Sequence, residues 1–148
     1  MNIITIAIGS DHAGFELKEL LKSWLISMGY QINDHGTYSA DSVDYPDYIH
    51  PVAQSVSDLT ANAGIIICGS GNGAAITANK HQKIRAALCW NAEVAKLAKE
   101  HNDANIISLP SRYISVDLAK EIVTAYLSAS FEGGRHADRI NKIPYKCC

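Results

Sequence analysis

No apolar run in this 148-residue chain is long enough to cross a bilayer. Excess positive charge is missing too: 13 Lys and Arg stand against 15 Asp and Glu, for a formal net charge of -2. A nucleic-acid or membrane-surface partner calls for a basic patch or tail, so neither is expected. Cysteine is sparse, and Cys68, Cys89, Cys147 and Cys148 fit neither a zinc pattern nor a disulfide framework. The vicinal pair Cys147-Cys148 reads as non-functional. The histidines (His12, His35, His50, His81, His101 and His136) show no metal-ligand spacing along one helix face, so no metal is expected. A Walker A sequence is absent, and Gly9-Ser10-Asp11 lacks the further glycines of a dinucleotide fingerprint. A nucleoside triphosphate or a dinucleotide is therefore not expected. No basic, apolar leader precedes the first strand, which predicts a cytoplasmic protein. There is no internal repeat, low-complexity tract or linker, so residues 1–148 read as one domain.

Strands alternating with helices are what is present. Apolar runs at Ile3–Ile8, Tyr30–Asn33, Ala63–Ile67, Arg85–Cys89 and Asn105–Leu109 read as five strands. Helices are predicted over Phe15–Met28, Pro51–Asn62, from Ala74, over Asn91–Glu100, over Ser115–Ala129 and from Asp138. His35 to Tyr48 reads as a long polar loop. This alternation predicts an α/β fold: a three-layer α/β/α Rossmann-like sandwich around a five-stranded parallel sheet.

The stretch with most chemistry in it is Cys68-Gly69-Ser70-Gly71-Asn72-Gly73. It follows a buried strand and precedes a helix, so its amides are placed to meet an anion. Cys68 stands where the strand ends, and a thiol beside such a cradle is a candidate base or nucleophile. Right-handed crossovers put every strand-to-helix loop at one sheet edge. Asp11 and His12, the Cys68–Gly73 loop and Arg112 should therefore share one crevice. Arg135, His136 and Arg139 follow on a tail segment, and arginines suit bidentate phosphate contacts. A phosphorylated or otherwise anionic small substrate is expected. Each residue also has a plain structural role open to it. Cys68 is a packing residue in that alternative, Asp11 a helix cap, His101 a partner of a helix C-terminus, and the arginines surface ion pairs.

These pieces together resemble the type B ribose-5-phosphate isomerases, the ribose/galactose isomerase family. The matching segments are Gly9-Ser10-Asp11-His12-Ala13-Gly14-Phe15, Asp44-Tyr45-Pro46, Cys68–Gly73, Ala78-Asn79-Lys80, Ile84-Arg85-Ala86, His101-Asn102-Asp103 and Glu132-Gly133-Gly134-Arg135-His136 with Arg139. They occur in order over nearly the whole chain. The resemblance implies cofactor-free, metal-free interconversion of ribose 5-phosphate and ribulose 5-phosphate through a cis-enediolate. It implies that Cys68 is the base, Ala74 standing where another branch of the family has a Glu. It gives Gly69, Ser70, Gly71, Asn72 and Gly73 the developing oxyanion, and His101 the opening of the sugar ring. Asp11, Asn102 and Tyr45 become sugar contacts, and His12, Arg112, Arg135 and Arg139 the phosphate set. It further implies homodimers with active sites shared between subunits, alone or paired as tetramers. Two other readings stay open at this point: isomerisation of a six-carbon sugar phosphate, and a non-catalytic sugar-phosphate-binding domain.

Overall fold

A computed structural model describes residues 2–146. The reading of Cys147 and Cys148 lies outside the described residues. Five strands form one sheet: β1 (Thr5–Ser10), β2 (Gln31–Asp34), β3 (Ala63–Cys68), β4 (Ala86–Leu88) and β5 (Ile106–Pro110), in the order β2-β1-β3-β5-β4. All neighbours are parallel, and one row of partners crosses the sheet through Asp34, Ile8, Ile65, Ile107 and Ala87. The expected three-layer architecture is present.

Alternation along the strands supplies two cores. Ile6, Ile8, Ile65, Ile67, Ile107 and Leu109 face α1 (Phe15–Ser27), α4 (Ala92–Asn102) and α5 (Val116–Ser128). Ala7, Ile66, Cys68 and Ile106 face α2 (Tyr45–Ser57) and α3 (Asn72–Ala78). A continuous apolar run such as Ile65-Ile66-Ile67 is what a strand buried on both faces requires.

Three helix starts differ from expectation by two residues or more, α3 beginning at Asn72 and not Ala74. The second helix begins at Tyr45, not Pro51, and so takes in the end of the predicted loop. Pro46 occupies the first turn, where a missing N–H is harmless, while Pro51 sits inside the helix. The bond lost at Pro51 is offset by Ile49, Val52, Ala53 and Val56, all buried against the sheet. The last helix, α6 (Arg135–Ile140), starts three residues earlier than predicted, directly after Gly133 and Gly134, both at positive φ. The first strand also lies later than read, because Ser10 still pairs with Ile67 of β3 while Ile3 and Ile4 are exposed.

A partly buried ion network fixes the carboxyl end of β2. Lys18 of α1 is fully buried, with its Nζ 2.8 Å from both carboxylate oxygens of Asp34 and 2.7 Å from Glu19. Lys22 joins at 2.7 Å from Asp34. Burial opposes the charge on Asp34. Hydrogen bonds from Lys18, Lys22 and the Gly36 N–H outweigh that, so its carboxyl lies below the usual carboxylate range. Gly36 in turn accepts from the Ser10 N–H at 2.7 Å, which ties the network to the end of β1 and to Asp11.

Candidate active site

The carboxyl ends of β1, β3 and β5 surround a cleft of about 280 Å³. Asp11, Tyr45, Cys68, Gly69, Ser70, Gly73 and Arg112 line it, with Tyr113. Cys68 ends β3 and is only 4% exposed, yet it borders this cleft. Its carbonyl is clamped by Ser111, whose N–H donates at 3.0 Å and whose hydroxyl lies 3.2 Å away. The same hydroxyl is 2.9 Å from the Ala13 carbonyl, so the turns after β1 and β5 meet at the cysteine.

The glycine loop has a stated reason at two positions. Gly71 adopts φ 76°, and a Cβ there would strike Leu88 Cδ1. Its carbonyl accepts from the buried Ser108 hydroxyl at 2.7 Å, which anchors the loop to β5. At Gly73 a Cβ would lie 2.5 Å from Tyr45 Cζ, so the Tyr45 ring rests on bare backbone. The amides of Gly73 and Ala74 fall in the first turn of α3 and have no intrahelical acceptor. Ser70 Oγ accepts from the Asn72 N–H at 3.3 Å.

Charge is placed around this floor. The Arg112 N–H donates to the Gly69 carbonyl at 3.0 Å, and its guanidinium folds over Gly69. Asp11 caps the turn His12–Gly14, its Oδ1 accepting from the Gly14 N–H at 3.1 Å. His12 Nδ1 accepts from the Val43 N–H at 3.1 Å, which leaves the ring proton on Nε2. Cys89 provides a contrast near the same edge. It is fully buried, donates to the Ala87 carbonyl at 3.5 Å, and burial pushes its thiol up to about 12.

His101, Asn102, Arg135 and Arg139 are not in this cleft. Helix α4 runs back from the carboxyl edge, so its last residues lie at the amino edge, just before β5. Cys68 pairs with Pro110 at the far end of β5. Five residues at about 3.3 Å each separate the two edges by roughly 15 Å. At the amino edge His101 stacks on His136, with ring centroids 4.2 Å apart and planes 11° from parallel. Glu132 Oε2 lies 3.8 Å from His101 Nε2 and 3.4 Å from His136 Nε2. Arg85 donates to the carbonyl of Asn102 at 2.9 Å and to that of Asp103 at 2.9 Å from its other nitrogen.

Sequence reasoning missed Tyr113, Ser111, Ser108 and the Glu132–His136 contact with His101. Tyr113 carried a signal, an aromatic side chain beside the strand-end turn Pro110-Ser111-Arg112. Ser108 carried none, because its partner is 37 residues away in sequence.

The profile of the Ribose/Galactose Isomerase family matches residues 6–143. Ribose-5-phosphate isomerase B of Escherichia coli (strain K12) is 44% identical over 138 residues, 93% of each chain. A crystal structure of a ribose 5-phosphate isomerase from Thermotoga maritima superposes with a TM-score of 0.95 at 52% identity, covering 97% of this chain and 99% of that one. The Mycoplasma genitalium ribose-5-phosphate isomerase B, solved with bound ribulose-5-phosphate, gives a TM-score of 0.92 at 38% identity, covering 96% and 95%. A cysteine on a floor of amides at the edge of a five-stranded parallel sheet is thus set in a chain that matches these proteins almost end to end, and the chain belongs to the ribose/galactose isomerase family.

Proposed function

We propose that this chain is an aldose–ketose isomerase interconverting D-ribose 5-phosphate and D-ribulose 5-phosphate through a cis-enediolate. The observation that carries the reading is the position of Cys68, at the rim of a cleft that Gly69, Ser70 and Gly73 of the glycine loop also line. All 148 residues work as one sugar-phosphate isomerase domain.

The chemistry follows from the placement. Cys68, as thiolate, takes the proton from C2 of the open-chain aldose. Electrons move from the C2–H bond into a C1–C2 double bond, and the carbonyl oxygen at C1 becomes an oxyanion. The amides of the loop and the Ser70 hydroxyl hold that charge, an arrangement that needs no reorganisation at the moment of reaction. The O2 proton passes to O1, and the thiol returns its proton to C1, which leaves the carbonyl at C2. Arg112 and His12 hold the phosphate from this chain, and its remote binding energy positions the reacting carbons. Asp11 meets a sugar hydroxyl, and Tyr45 packs beside the sugar.

Ring opening needs a further proton carrier, because in this reading Cys68 serves C2 and Asp11 is taken up by the Gly14 N–H and a sugar hydroxyl. His101 supplies it from a second copy of the chain, whose amino edge also brings Asn102 to the sugar and Arg135 and Arg139 to the phosphate. The support is the separation of the two edges within one copy, together with the resemblance in sequence. A homodimer with two shared sites, alone or paired into a tetramer, follows. In this reading the enzyme works in the cytoplasm, in the pentose phosphate pathway.

A coupled assay of ribose 5-phosphate conversion in excess chelator tests the proposal. Turnover retained in chelator is expected. No turnover of ribose 5-phosphate, with phosphate-dependent binding intact, would leave a sugar-phosphate-binding domain instead.

A further inference from the structure

We propose that His101, Glu132 and His136 form a binding site for a divalent transition metal of the zinc type, and that an ion held there blocks ring opening. Two imidazoles and a carboxylate are a three-ligand zinc set with a fourth position open. Their donor atoms all lie within 4.8 Å of one another. Tetrahedral zinc with bonds of 2.0–2.1 Å holds its ligand atoms about 3.4 Å apart. The His136–Glu132 separation is 3.4 Å and the His101–Glu132 separation 3.8 Å, both close to that spacing. Both Nε2 atoms already face the same carboxylate oxygen, and the stacked rings, 11° from parallel, must splay for their in-plane lone pairs to converge on one ion. Their support is built in: the Glu132 N–H donates to the Glu100 carbonyl at 3.0 Å, which ties the segment before α6 to the last turn of α4.

The chain carries its own comparison. His50 and His81 also meet, with Nδ1 and Nε2 2.8 Å apart, but no carboxylate joins them within metal-binding reach among the described residues. Imidazole and carboxylate together suit zinc, nickel and cobalt, so the trio should outcompete the pair. A metal on His101 Nε2 occupies the lone pair that ring opening requires. This consequence rests on the ring-opening role proposed for His101.

The test uses the full chain, stripped with chelator and then dialysed. Zinc is titrated by calorimetry into the unaltered protein and into Glu132→Gln, His136→Gln and His81→Gln. Affinity should fall by about tenfold or more in the first two and hold in the third. Cobalt should broaden the ring-proton resonances of His101 and His136 before those of His50 and His81. Zinc should slow ribose 5-phosphate turnover, measured against each variant's own metal-free rate, and chelator should reverse it. Unchanged affinity in His136→Gln, or broadening confined to His50 and His81, overturns the site. Binding at the trio without slowed turnover overturns the blocking role and removes His101 from ring opening, while the ligand set stands.

Discussion

At the carboxyl edge of the sheet the candidate base is sunk into the fold, and at the amino edge the candidate proton carrier stands in the open. Cys68 is 4% exposed and clamped through its carbonyl, whereas the His101 side chain is 38% exposed and held by a stacked ring. The difference follows from chain direction. A strand ends at the buried centre of a parallel sheet, so a residue there is packed on both sides. A helix end meets only its neighbours and solvent. Under the proposed roles, each edge carries what its position permits: a base beside the glycine loop at one, an accessible proton carrier at the other. In the proposed mechanism neither edge holds both halves of the isomerisation.

Substitutions at the two edges should break the reaction in different ways. The largest effect is expected from Cys68→Ala, which should lower turnover by roughly 10²–10⁴-fold while calorimetry still detects sugar-phosphate binding. Near-normal turnover would remove the cysteine from the chemistry. His101→Asn should be milder and selective. Ring-closed ribose 5-phosphate should turn over roughly 10²-fold more slowly. Solvent deuterium exchange into ribulose 5-phosphate, which enters already open, should survive. Equal loss in both assays would refute the division of labour.

Stability should respond mainly at the carboxyl edge. Asp34→Asn leaves the Lys18 ammonium buried with its main partner gone, at a cost of about 3–5 kcal/mol in chemical unfolding. Acid should act through the same group. Asp34 titrates lower folded than unfolded, so its contribution is present above the unfolded value and fades as pH falls through the folded one. Unfolding midpoints across acid pH should drop less in Asp34→Asn than in the unaltered protein. The smallest change is expected from Gly73→Ala, about 1–3 kcal/mol of overpacking relieved by displacement of the Tyr45 ring. It should raise KM more than it lowers kcat.

Much of this was legible in the chain itself. Hydrophobic runs gave the five strands, and the crossover rule alone brought Asp11, Cys68 and Arg112 to one cleft. The same rule also separates His101 from them, since a residue on a helix-to-strand turn belongs to the opposite edge. Local composition misled at Pro51, where a proline usually starts a helix and here lies inside one. Long-range partners stayed invisible. Nothing near Lys18 in sequence announces that Asp34, sixteen residues on, will neutralise it in the core. Nor does the serine of a buried strand announce the Gly71 carbonyl.

Subunit mixing addresses the central claim most directly. Cys68→Ala and His101→Asn, each expected to keep about a hundredth or less of the turnover of ribose 5-phosphate, are unfolded together, refolded at equal amounts and assayed. A mixed dimer pairs the intact cysteine of one copy with the intact histidine of the other. The mixture should therefore recover about a quarter of the unaltered protein's activity. No recovery, with mixed dimers demonstrated by mass, would place both groups in one copy and contradict the account.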